Sequence, residues 1–358
     1  MEITDYVAQL VEKNGSDIHL KAGGPAFVRI DGDLVPLAAM PPLSQEDTER
    51  FAFSIMDDRL AATFTETNEA DFALSEPGVG RFRVNIFRQR GTVGIVMRRV
   101  LPGAPDFESL GLPPAVRKLA EEHRGLVLVT GPAGSGKTTT TAAMIGHVNR
   151  TRRCHIVTIE DPIEVLHLDD RAIVDQREVG VDTSGFATAL RAVARQDPDV
   201  IFIGEMRDEE TVQAALSSAE TGHLVISTLH TTDARETVNR VIDFFPPHQQ
   251  PQVRHVLSQV LKGVVSQRLV PHASGDGRAA AVEVLVMTSR IADFVADPDQ
   301  TNLITDAIAE GEYYGMQSFD QHLLELFRKG EIALGDALAA STSPHDLRVA
   351  IRAAGLAG

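Results

Sequence analysis

The residues Gly131-Pro-Ala-Gly-Ser-Gly-Lys-Thr138 carry the most specific chemistry in this chain. They follow the apolar run Leu126-Val-Leu-Val129 and precede a segment compatible with helix. A strand, a glycine loop and a helix start in that order make a phosphate cradle. Gly131, Gly134 and Gly136 allow successive backbone N–H groups to turn inward around a polyphosphate. Lys137 can reach the β- and γ-phosphates, and the Thr138 hydroxyl can ligate Mg²⁺. The expected contact set runs through Gly131, Pro132, Ala133, Gly134, Ser135, Gly136, Lys137, Thr138 and Thr139. The loop predicts binding of a nucleoside triphosphate, without naming the base or the use of hydrolysis.

Hydrolysis needs carboxylates beside that loop. Ile156-Val-Thr-Ile-Glu-Asp-Pro-Ile-Glu164 places Glu160, Asp161 and Glu164 just beyond a strand that proline ends. Asp197-Pro-Asp-Val-Ile-Phe-Ile-Gly-Glu-Met-Arg-Asp208 delivers Glu205 to the end of a second apolar strand. A carboxylate there can accept a hydrogen bond from the attacking water and support Mg²⁺ through water. Gly204 before it permits close backbone approach.

Thr221-Gly-His-Leu-Val-Ile-Ser-Thr-Leu-His-Thr-Thr232 brackets a third strand with His223 and His230. His230 follows the strand and is placed to sense a γ-phosphate. His223 precedes it and sits farther away. No Cys or His partner lies at metal-ligand spacing from either. A guanidinium that neutralises γ-phosphate charge is also needed. Arg81, Arg83, Arg98, Arg99, Arg191 and Arg195 are all candidates, and the residues alone do not choose among them.

The elements that must position these groups alternate. Apolar runs at 126–129, 156–159, 200–203 and 224–228 read as strands, and 138–149, 185–196 and 208–220 as helices. This pattern predicts a mostly parallel sheet with helices on both faces, its strand C-termini converging on the ligand. Before it, residues 2–13 suit an amphipathic helix, and Phe27–Ile30 and Leu34–Leu37 flank the turn signal Asp31-Gly32-Asp33. Residues 44–63 read as a helix capped by Ser44, and 70–74, 81–88 and 92–100 as strands. The expected organisation is a small α+β domain over 1–100, a Pro/Gly-rich linker over 101–114, and an ATPase domain over 115–358 with a helical tail at about 289–355.

Bulk composition bounds the rest. A chain of 358 residues with 43% apolar content suits about two domains with real cores. Its net charge of −16 makes it a poor general binder of nucleic acid. The lone Cys154 excludes an intramolecular disulfide and a four-cysteine zinc site. No apolar run approaches the roughly 18 residues that span a bilayer, and the acidic start Met-Glu-Ile-Thr-Asp is no secretory signal. A cytoplasmic protein that meets membranes only through a partner is expected.

In order, the segments 131–138, 156–164, 197–208 and 221–232 resemble the Walker A, Asp, Walker B and His boxes of the secretion-ATPase superfamily. Within it the chain resembles the type IV pilus retraction ATPases, the PilT/PilU family. Gly15-Ser-Asp-Ile-His19 and Gly80-Arg-Phe-Arg-Val-Asn85 also look like family segments. The resemblance implies a PAS-like N-terminal domain, a RecA-like second domain, and six chains in a ring that binds ATP with Mg²⁺. It implies Glu205 as the catalytic carboxylate and Glu164 as the Asp-box acid. His223 and His230 become the His-box pair, and Arg81, Arg83 and Arg99 the arginines that close over the phosphates. The implied work is pilus retraction for twitching motility through an inner-membrane platform protein, the motor sitting peripherally on the cytoplasmic side.

Gln176-Arg-Glu-Val-Gly-Val-Asp182, Arg98-Arg99, Gly315–Gln321 and His345–Arg348 look more like the PilU type, and Ser289–Ala296 matches the PilT-type C-terminal signature only loosely. A PilU-type chain would be an accessory motor working with a PilT-type partner ATPase. The same chemistry could instead drive pilus assembly or type II secretion, although those ATPases usually carry a four-cysteine module absent here. A weakly hydrolysing, ATP-gated scaffold is a third reading.

Overall fold

The computed structural model describes residues 1–30, 32–100 and 103–356. The chain divides into two compact units, Met1–Pro102 and Gly103–Gly358. Asp31 of the turn signal and Leu101-Pro102 of the expected linker lie outside the described residues.

In the first unit a six-stranded antiparallel sheet has the order β3-β2-β1-β6-β5-β4. Its strands are β1 (Asp17–Lys21), β2 (Phe27–Ile30), β3 (Asp33–Pro36), β4 (Glu69–Glu76), β5 (Gly80–Gln89) and β6 (Thr92–Val100). Phe82, Val84 and Ile86 alternate inward on β5 and join Tyr6, Leu10 and Phe51 from the covering helices in one core. The expected helix over 44–63 is two helices, Gln45–Ile55 and Asp58–Thr67. The break has a local cause: the Asp57 carboxylate accepts from Leu60 N at 2.7 Å, so a new N-cap replaces continued helix.

The second unit is α/β. Its strands are β7 (Gly125–Thr130), β8 (His155–Glu160), β9 (Ile173–Glu178), β10 (Val200–Ile203), β11 (Leu224–Leu229), β12 (Leu261–Pro271) and β13 (Arg278–Val286). They form one seven-stranded sheet in the order β13-β12-β7-β11-β10-β8-β9. Every pair is parallel except β12–β13. The strands feed two cores. Leu126 and Leu128 of β7 face one, with Val212, Leu216 and Leu257 of the helices on that side. Val127 and Val129 face the other, with Ala143, Met144 and Val148 of the helix Lys137–Thr151. An unbroken apolar run is therefore what a strand covered on both faces requires. Each fully buried aliphatic side chain contributes about 1.5–3 kcal/mol.

Four strands escape the sequence reading: β1 in the first unit, and β9, β12 and β13 in the second. β9 is polar, Ile-Val-Asp-Gln-Arg-Glu, because it is an edge strand. β12 and β13 form an antiparallel hairpin that interrupts the strand–helix alternation. Within the expected linker, Phe107–Leu110 forms a helical turn whose Phe107 is buried against the helix Pro114–Ala120 and its core. The expected helical tail is present from Ser289 to Ala353. Among the described residues no helix is long and apolar enough to cross a membrane.

One buried tail histidine gives a stability prediction. His322 Nδ1 accepts from Val282 N of β13 at 3.0 Å, and burial pushes its pKa down to about 4. Glu325 and Lys329 pull it in opposite directions. The unfolded chain takes up this proton near 6.5 and the folded chain only near 4, so the contribution is present above 6.5 and lost as pH falls through 4. By linkage it amounts to at most about 3 kcal/mol. His322→Gln keeps an acceptor, so thermal melts should show its Tm falling less steeply than wild type between pH 6.5 and 4. Parallel curves would contradict the assignment.

Candidate nucleotide site

The sheet aligns the ends of four strands. Thr130 of β7 registers with Leu229 of β11, and Ile203 of β10 registers with Ser227 of β11 and Ile159 of β8. Beyond these ends lies a cleft of about 250 Å³ lined by Gly134, Lys137, Thr138, Glu160, Asp161, Glu164, Glu205 and His230, among others. The three acid and histidine segments and the glycine loop therefore meet in one place.

The loop's shape depends on its glycines. Gly131, Gly134 and Gly136 have φ of 143°, 76° and 89°. A Cβ at Gly131 would lie 2.4 Å from Gln267 O, and one at Gly136 would lie 2.7 Å from Gln267 Nε2. Gln267 of β12 thus braces the loop from behind, its Oε1 accepting from Thr140 Oγ1 at 2.8 Å. Gly136 is also the N-cap of the helix Lys137–Thr151, with no side-chain cap on its first turn. That leaves a helix N-terminus suited to an anion.

Lys137 Nζ donates to Gly131 O at 2.7 Å and Pro132 O at 3.0 Å, so the ammonium folds over the loop. Burial holds its pKa below the ordinary lysine range, with Glu164 opposing. Ser135 Oγ is buried with no hydrogen-bond partner among the described residues. An orphaned hydroxyl and a glycine cradle under an ammonium fit a polyphosphate. Thr138 and the Glu205 carboxylate offer hard oxygens in the same cleft, the donor type Mg²⁺ takes.

Gly204 does what its place suggested. A Cβ there would lie 3.3 Å from Ile159 O and 3.4 Å from Glu160 Cα, so a side chain would wedge β10 from β8. The next residue, Glu205, is largely buried, with 17% of its side chain exposed. Its Oε2 faces His230 Nε2 at 3.2 Å, and His230 Nδ1 lies 3.5 Å from Lys137 Nζ. An ammonium can only donate, so Nδ1 is the acceptor and Nε2–H donates to Glu205. Burial, then Lys137 and Arg207, push the His230 pKa down, in keeping with that neutral tautomer. Lysine, histidine and glutamate form a relay across the floor of the cleft.

Glu160 is 8% exposed and accepts from Thr158 Oγ1 at 2.7 Å and Gln176 Nε2 at 3.0 Å. Burial raises its pKa against those hydrogen bonds. Glu164 is exposed and lies on the cleft wall.

Other expected residues make contacts within their own units. His223 precedes β11, at the opposite end of that strand from His230; its Nδ1 lies 2.9 Å from Ser218 O, and it does not line the cleft. Arg191 pairs with Glu210 on the neighbouring helix. In the first unit Arg81 donates to Ser75 Oγ at 2.9 Å, Arg99 to Asn14 Oδ1 at 3.3 Å, and Arg98 to Asp17 at 2.8 Å. Arg83 lines a small cavity with Asp17, Asp71 and Asn85. Gln267 was not foreseen because β12 was not. The run Val264-Val-Ser-Gln-Arg-Leu-Val270 was the available signal.

A second cavity of about 510 Å³ adjoins the same loop, lined by Leu112, Gly136, Thr139, Gln267, Leu269 and Ala280 among others.

Residues 2–312 match the family of type II/IV secretion system proteins. The chain belongs to that family. It is 43% identical to the Pseudomonas aeruginosa protein named "Type IV pilus ATPase PilU", over 98% of this chain and 92% of that one. It is equally, 43%, identical to the same organism's "Type IV pilus retractation ATPase PilT", over 97% of this chain and all of that one. Its fold matches a crystal structure of the pilus retraction motor PilT with bound ADP at a TM-score of 0.88 and 46% identity, covering 98% and 99% of the two chains. The match to that PilT structure runs through both units of this chain.

Proposed function

We propose that this chain is an ATP-hydrolysing motor that powers type IV pilus retraction and hence twitching motility. The carrying observation is that the glycine loop, Glu205 and His230 meet in one cleft of a chain similar along its whole length to pilus ATPases. In this reading ATP lays its phosphates on the loop from Gly131 to Thr139, under Lys137. Its base lies in the cavity beside Thr139 and Gln267, where Leu112, Leu269 and Ala280 offer apolar surface to a flat heterocycle and Ser109, Gln267 and Arg278 offer polar partners. Thr138 and, through water, Glu205 would hold Mg²⁺, which would supply charge neutralisation at the phosphates. Glu205 takes the proton of the attacking water, and His230 holds that carboxylate while reporting on the position of Lys137. Glu164 supplies a second acid on the wall.

Six copies form a ring at the cytoplasmic face of the inner membrane and act on a platform protein there. Arg81, Arg83 and Arg99 close over the phosphates, and His223 serves a surface away from the cleft. Equal identity to the PilU and PilT relatives fits either an independent motor or one assisting a PilT-type partner ATPase.

The test is to delete the gene and image labelled pili, with and without any partner motor. Pili that extend but retract slowly or not at all, with hyperpiliated cells, are expected. Bald cells would assign the protein to assembly instead.

A further inference from the structure

The carboxylate proposed as the base is gripped by a residue to which the boxes assign nothing. Arg207 lies two positions after Glu205, in the loop between β10 and the helix Glu209–Glu220. Its Nη2 pairs with Glu205 Oε1, and its Nη1 lies 3.5 Å from Asp161 Oδ2. The other oxygen of Glu205 faces His230. The carboxylate is thus held from two sides. With His230 Nδ1 facing the Lys137 ammonium, the imidazole meets Glu205 as a neutral donor, and among the described residues Arg207 is the guanidinium paired with that carboxylate.

The base of this arm is fixed. Met206 before it is buried, and its N–H donates to Thr228 O at 3.2 Å. Asp208 after it caps the next helix, accepting from Thr211 N at 2.8 Å. The guanidinium at the end of the arm is open to water, with 60% of the side chain exposed. Exposed ion pairs add little to stability, so a bridge here between the β10 and β8 ends needs another reason. A glutamate side chain has three torsions and wanders unless both its oxygens are engaged. A base misplaced by a fraction of a bond length loses rate rather than binding.

We infer that Arg207 is a positioning residue for hydrolysis: it fixes the Glu205 carboxylate and ties it to Asp161, so that the acids at the ends of β8 and β10 are presented as one unit. The inference rests on the reading of Glu205 as the base.

The experiment uses the full chain and compares R207A, R207K and E205Q by steady-state phosphate release, by binding of a non-hydrolysable ATP analogue and by thermal melts. R207A should lower kcat by about 10–100-fold, with KM and analogue affinity within about threefold of wild type. Its Tm should hold, and R207K should recover part of the rate. Millimolar guanidinium should partly rescue R207A, because the site is open to solvent, and should not rescue E205Q. A kcat for R207A within twofold of wild type, or faster, overturns the inference. So does a loss accompanied by an equal loss of analogue binding. If E205Q itself turns over at the wild-type rate, the underlying reading of Glu205 fails, whatever Arg207 does.

Discussion

Lys137→Ala abolishes measurable ATP turnover and weakens nucleotide binding, while leaving the fold in place. The ammonium is held over the loop by two carbonyls, at 2.7 and 3.0 Å from Gly131 O and Pro132 O. Those bonds keep the charge poised where phosphates would lie, and a phosphate oxygen is a stronger partner than a carbonyl. Losing one preorganised donor to transition-state charge costs about 10²–10³ in kcat. Here ground-state contacts go too, so kcat/KM should fall by more than 10³, again about one donor's worth beyond binding. The side chain adds nothing to either core, so the Tm should move by no more than a few degrees. Phosphate release and a fluorescent-nucleotide titration check both parts. A variant with wild-type kcat/KM would show that the loop is not a triphosphate site.

Glu205→Gln has the second large effect, and it splits differently. Glutamine keeps the length and one acceptor for His230 Nε2–H but cannot take a proton from water. Loss of a positioned general base costs about 10²–10⁴ in kcat. ATP affinity should hold or rise, because a negative charge leaves the neighbourhood of the phosphates. The variant should therefore trap ATP, measurable as bound unhydrolysed nucleotide after rapid filtration. Loss of binding together with turnover would make Glu205 a ligand for the nucleotide rather than a base.

The parts of the site that run along the chain were legible from the amino acids. The glycine loop has a local signature, because positive φ at Gly131, Gly134 and Gly136 is a backbone demand that glycine meets in place. Glu205 and Glu160 were legible as the ends of apolar runs, because buried parallel strands announce themselves by unbroken Val, Leu and Ile. What crosses the chain was not. Gln267 braces the loop from a strand more than a hundred residues later, inside a hairpin that breaks the alternating pattern. Arg207 stood in plain view beside Glu205, but an arginine in a surface loop looks the same whether or not it bridges two strand ends. His223 and His230 are equal as residue types. Six residues of extended strand put them at opposite ends of β11, and only His230 reaches the cleft. The helix over 44–63 breaks because an aspartate six residues from its expected end is a better N-cap than a helix interior residue.

The account turns on where a triphosphate sits. A crystal structure of the full chain with Mg²⁺ and a non-hydrolysable ATP analogue tests this most directly. It should show the phosphates on the N–H groups of the Gly131–Thr139 loop, Lys137 released from the Gly131 and Pro132 carbonyls onto them, and Glu205 one water away from the terminal phosphorus. An analogue bound elsewhere, or a Glu205 carboxylate turned away from that phosphorus, would contradict it.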